Sequence, residues 1–144
     1  MSMTRGASCC FDSQPAGYGE SFAFPLKGGL NAPLAARQAL LAGAPGIPAA
    51  VRDDILLLVT ELVTNAVRHA GVGPEQSLDT EVREWPGRVR VEVTDPSTGP
   101  TSFGARSDGD SSGGWGLFLV DQIADRWGVR RTPTGTCVWF ELSV

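Results

Sequence analysis

Apolar positions repeat along the chain with two different periods, and the changes of period divide it into elements. Ser21 to Leu26 alternates apolar residues as a short strand does, and Pro25, which has no N–H to give a neighbour, suits a sheet edge. Asn31 is placed to cap a helix that starts near Pro33 and carries Leu34, Ala35, Ala39, Leu40 and Leu41 to Gly43. Pro48 opens a longer helix that reaches roughly His69 and stops at Gly71. The period then returns to two. Leu78 to Trp85 and Arg88 to Thr94 read as strands joined by a tight Pro86-Gly87 turn, with Val89, Val91 and Val93 on one face. Further on, Leu117, Phe118, Val120, Ile123 and Ala124 mark an amphipathic helix expected to end near Trp127-Gly128. Two last strands, Val129 to Thr132 and Thr136 to Val144, turn through Pro133-Thr134-Gly135.

Two stretches carry neither period. Residues 1–19 mix small, polar and turn-forming types and are expected to form a flexible tail. Pro96 to Ser112 is rich in Gly, Ser, Pro and Asp, with Phe103 as its only large apolar residue, and a loop of that length inside a compact domain is expected to be a lid, here over 96–113. The domain proper then spans 20–144. Its order, β-α-α-β-β-lid-α-β-β, predicts an α+β fold: a two-layer α/β sandwich with a mainly antiparallel sheet and helices on one face.

Composition narrows the chemistry. A chain of 144 residues, 42% hydrophobic, has room for one such core and not for a second full domain. Its net charge of -4 argues against direct nucleic-acid binding and against an anionic membrane surface, both of which need a basic stripe. The single lysine, Lys27, does not stand in a Walker-type run. Cys9, Cys10 and Cys137 give neither a metal-ligand spacing nor a disulfide framework. With no signal-peptide pattern and no apolar run of spanning length, a cytoplasmic location is expected.

Three groups of residues could carry chemistry. On the long helix, Asp54, Glu61, Asn65 and Arg68 fall within an arc of about 60° at 100° per residue. This arc is either a solvated polar face or a carboxylate, an amide and a guanidinium aimed at one ligand. Those three types complement a magnesium nucleotide, since an amide oxygen suits a hard cation, arginine pairs with phosphate and a carboxylate accepts a proton. Asp95 ends the valine-rich strand. It is either a turn residue before Pro96 or a base reader that accepts from the 6-amino group of adenine and repels the guanine oxygen found there. Gly113, Gly114 and Gly116 sit where loop becomes helix, as a plain hinge or as a phosphate cradle at a positive helix end. Trp85, Trp115, Trp127 and Trp139 read as packing residues, with Trp115 also placed within the glycine cluster.

In this order, from about Phe22 onward, these motifs resemble the GHKL superfamily of ATPases and kinases, in particular anti-sigma factor serine/threonine kinases and related histidine-kinase-like ATPases. Glu61-x-x-x-Asn65-Ala66-x-Arg68-His69 resembles the family's asparagine box, and Asp95 the aspartate of its first glycine box. Gly114-Trp115-Gly116-Leu117 resembles the second glycine box, and Gly135-Thr136 the final motif. The resemblance implies a Bergerat-type fold binding ATP and Mg2+, with Asn65 on the metal, Glu61 as general base, and Arg68 or His69 near the phosphates. It also implies Asp95 and Thr136 at adenine, and Gly113, Gly114, Gly116 and Leu117 at the lid end. The partners it implies are an anti-anti-sigma (STAS-like) protein, a sigma factor and a second copy of the chain in a homodimer. Departures are visible: the usual Asp-x-Gly-x-Gly is replaced by Asp95-Pro96-Ser97-Thr98-Gly99-Pro100, and Phe118 stands where a further glycine is frequent. No phosphoacceptor helix hairpin precedes the asparagine box, so a complete sensor histidine kinase is not expected. A non-catalytic or nucleotide-gated partner-binding module is the alternative.

Overall fold

The computed structural model describes residues 20–43, 46–97 and 115–144. The elements run β1 (Ser21–Lys27), α1 (Ala32–Gly43), α2 (Ala49–His69), β2 (Ser77–Trp85), β3 (Arg88–Asp95), α3 (Trp115–Ile123), β4 (Arg126–Thr132) and β5 (Gly135–Ser143). The strands form one sheet in the order β1-β2-β3-β5-β4, antiparallel at every pairing, with the Pro25 strand at one edge as expected. The architecture is the α+β two-layer sandwich of the GHKL type.

The helix-facing side of the sheet follows directly from the alternation. Val91 lies between Val82 and Phe140, and Val93 between Thr80 and Val138. Against this surface packs α2, flanked by α1 and α3, with Ile55, Leu58, Val59, Leu62 and Val63 in the core. Pro48 sets the start of α2 with φ -57° and ψ 139°, and its carbonyl accepts from the N–H groups of Val51 and Arg52, both at 3.1 Å. At the other end Ala70 N–H donates to Ala66 O at 3.1 Å, and Gly71 turns the chain away at φ 64°. Gly87 likewise takes φ 82° in the β2–β3 turn.

The opposite side of the sheet is not a plain solvated face. The Arg90 guanidinium lies over Trp139, 4.0 Å from the ring centroid, and pairs with Glu92 at 3.1 Å and with Glu141 at 3.3 Å. Arg88 and Arg126 reach the same Glu141 at 3.4 and 3.9 Å. Arg90, Glu92 and Glu141 are buried, which charges tolerate only when paired in this way. Cys137, buried on β5, is disulfide-bonded, which cysteine spacing gave no reason to expect.

Two adjoining elements differ from their expected bounds. The third helix ends at Ile123 rather than near Trp127-Gly128, and those two residues belong to β4. Apolar period favours continuing the helix, but pairing with β5 wins. Asp125 N–H donates to Glu141 O at 2.9 Å, its carboxylate accepts from Ser143 N–H at 2.6 Å, and Arg126 falls opposite Glu141. Gly128 is needed because a Cβ there would come 2.9 Å from the Trp139 indole.

The Ser143 side chain, and then its backbone N–H, hold the Asp125 carboxyl below the usual carboxylate range. A folded-state value below the unfolded one means the contribution is present above the ordinary value of about 3.9 and disappears as pH falls through the lowered one. Because this carboxylate is exposed, Asp125→Ala should lower stability by only about 0.5 kcal/mol at pH 7. Urea titrations should show the difference shrinking as pH falls below the ordinary carboxylate value.

Candidate functional site

The last rung between β3 and β5 puts Asp95 opposite Thr136 on the helix-facing side of the sheet, and both side chains are buried, at 3% and 1% exposure. The chain turns sharply after Asp95. Its Oδ1 accepts from Ser97 N–H at 2.7 Å and from the Ser97 hydroxyl, while Thr136 Oγ1 donates to Ser97 O at 2.9 Å. Ser97 thus ties the carboxylate and the threonine into one unit and fixes the carboxylate's rotamer. Only one oxygen is used: among the described residues, Asp95 Oδ2 accepts no hydrogen bond. A buried carboxylate with one oxygen anchored and one open is suited to receive a donor from a ligand.

This close meeting of strand ends requires Gly135. A Cβ at that position would stand 2.1 Å from the Asp95 carbonyl oxygen, which is backbone and cannot swing aside.

On α2 the polar arc turns out to be graded. Arg68 is exposed, Glu61 is half-buried one turn from Asn65, and Asn65 is buried at 5% exposure. The Asn65 Nδ2 has no hydrogen-bond partner. A solvated polar face does not account for that atom, since a buried donor left unmade costs about 1–3 kcal/mol.

The remaining candidates divide by position. Leu117 is half-buried in the first turn of α3 and packs on the core. Gly116 lies in that same turn. Gly113, Gly114 and the expected lid from 98 onward lie outside the described residues, as does the His69 side chain. The structure therefore joins Asp95 with Thr136 and sets Asn65 beside Glu61, on a helix that packs over β3 and β5. Sequence reading missed Ser97, which counted only as a departure from a glycine motif. The available signal was the Asp-Pro-Ser order, in which an aspartate accepts from the N–H two residues on.

Two curated relatives match part of the chain. The chain is 29% identical over 85 residues to a "Serine-protein kinase RsbW" from Listeria innocua serovar 6a, and equally to one from Listeria monocytogenes serovar 1/2a. Each match covers 51% of this chain and 54% of the relative, so the chain spans about half the length of the curated relatives it matches. The model of the histidine kinase-like ATPase domain matches far more, residues 30–142, which takes in α1 to β5 with Asn65, Asp95 and Thr136. By that match, and by the sandwich fold that carries it, the chain belongs to the histidine kinase-like ATPase domain family.

Proposed function

We propose that this protein is an ATP-dependent serine/threonine kinase of the anti-sigma factor type, a cytoplasmic regulator of transcription. It phosphorylates a hydroxyl of an anti-anti-sigma (STAS-like) partner and holds a sigma factor, and it works as a homodimer. The observation that carries the nucleotide reading is the buried Asp95, with one oxygen anchored by Ser97 and the other open beside Thr136. Such an oxygen accepts from the exocyclic amino group of adenine and repels the oxygen of guanine, so ATP is the favoured nucleotide.

The Asn65 carboxamide fits a magnesium-bound triphosphate in two parts: its oxygen is the atom that would ligate the cation, and its partnerless Nδ2 is a donor suited to a phosphate oxygen. Magnesium is commonly held by one or two protein groups together with phosphates, so no larger cluster of acidic ligands is required. When bound, Mg-ATP supplies the transferable phosphoryl group and the neutralising charge. In this reading Asn65 would hold the metal, and Glu61 takes the proton of the attacking hydroxyl. Arg68, with His69 nearby in sequence, pairs with phosphate. Gly113, Gly114 and Gly116 let backbone N–H groups approach the phosphates at the start of α3, where the helix dipole favours negative charge.

The test separates chemistry from binding. Glu61→Ala should reduce phosphotransfer to a STAS-type partner by about 100-fold or more while leaving ATP affinity little changed. Radiolabel transfer and calorimetric titration read the two quantities. Loss of both together would refute the assigned role of Glu61.

One observation favours a second reading. Ser97 stands where the first glycine of Asp-x-Gly-x-Gly would let the base approach closely, and it already occupies one oxygen of Asp95. A nucleotide-gated partner-binding module would bind ATP and change partner affinity without turnover. Saturating ATP with no phosphorylated partner would establish it.

A further inference from the structure

Thr80 occupies a place in β2 that a valine would fill equally well. Its neighbours along the strand on the same face, Leu78 and Val82, are core residues, and its partners across the sheet are Phe24 and Val93. It is 1% exposed, and its hydroxyl has no hydrogen-bond partner. A hydroxyl buried among apolar side chains without a partner is unfavourable, and the isosteric alternative avoids the cost altogether.

Position supplies the missing use. Thr80 lies opposite Val93, so Asp95, two residues on, is its diagonal neighbour on the same helix-facing side. Diagonal positions of an antiparallel pair stand about 7–8 Å apart, within reach of two side chains joined by one water. The open Asp95 oxygen is the natural second partner for that water, because the other is committed to Ser97. A ligand group at the carboxylate would give the water a third polar neighbour, the usual number for a buried site.

We infer that Thr80 is a positioning residue of the nucleotide site: through one buried water its hydroxyl orients the free oxygen of Asp95 toward the amino group of a bound adenine. This rests on the nucleotide reading proposed above. Thr80 acts through Asp95 and touches neither phosphate nor metal. Its effect is therefore confined to base affinity and to the preference for ATP over GTP.

The experiment is calorimetric titration of the whole chain with Mg-ATP and Mg-GTP, paired with thermal melts, for wild type, Thr80→Val and Thr80→Ser. Thr80→Val keeps the side-chain volume and should melt close to the wild-type temperature, yet bind ATP about tenfold more weakly, ~1.4 kcal/mol, with a narrower ATP-to-GTP ratio. Thr80→Ser keeps the hydroxyl and should restore most of the affinity and the ratio, although its lost methyl lowers the melting temperature. A merely structural threonine would show the opposite pattern, with binding following stability. Wild-type ATP affinity in Thr80→Val, or equal loss in both variants, overturns the inference and leaves the nucleotide site standing. Failure of the wild type to bind ATP overturns the proposed function and this inference together.

Discussion

Replacing Asp95 with alanine should weaken ATP binding by at least about 100-fold, ~2.7 kcal/mol, because on the proposed base reading a buried hydrogen bond is lost and the base amino group is left facing apolar surroundings. Alanine also removes the acceptor that Ser97 uses, so the turn after β3 loosens. Asp95→Asn is the sharper probe. Its amide oxygen can keep the Ser97 contacts while its NH2 group stands where the open oxygen was. That change turns an acceptor into a donor at the place where adenine and guanine differ. Binding of ATP should fall and binding of GTP should rise relative to it, by titration of both nucleotides on both variants. An Asp95→Ala protein that binds ATP like wild type would remove the basis for base reading by this carboxylate.

The second large effect is expected at Gly135, where the argument is steric. A methyl group there would lie 2.1 Å from the Asp95 carbonyl oxygen and 3.5 Å from the Pro96 Cα, both on the backbone. Relief requires β3 and β5 to part at their last rung, where Asp95 faces Thr136. Gly135→Ala should therefore lower stability by about 3 kcal/mol, a fall in Tm on the order of 10 °C. The folded fraction should bind nucleotide poorly, since the two residues that would meet the base no longer hold their spacing. Gly73→Ala is the matched control, as nothing lies within 4 Å of its added Cβ. Similar melting temperatures for the two variants would contradict the close approach.

Much of the fold was legible because local rules and tertiary packing agree. Val89, Val91 and Val93 declare a strand with one buried face, and Pro48 and Gly71 bracket the long helix at the observed ends. The rest depends on partners distant in sequence. Nothing near Arg90 announces Glu141, 51 residues away, so the alternating charges of β3 gave no sign that the second side of the sheet is also buried. The end of α3 was missed for the same reason: capture of Asp125 and Arg126 by β5 is a long-range event that helical period cannot report. At the site, residue types and spacing pointed to Asn65 and Asp95. Only packing distinguishes a buried orphan amide from a solvated one, and only the turn geometry reveals Ser97 as a brace.

The two outer strands bear on how another protein could attach. Along β1, Pro25 contributes no N–H, and β4 carries Arg126, Arg130 and Arg131 at the opposite margin. An incoming peptide ribbon would meet a gap in its ladder on one side and a row of arginine side chains on the other. Among the described residues, neither border is a good template for extending the pleated layer by backbone zippering.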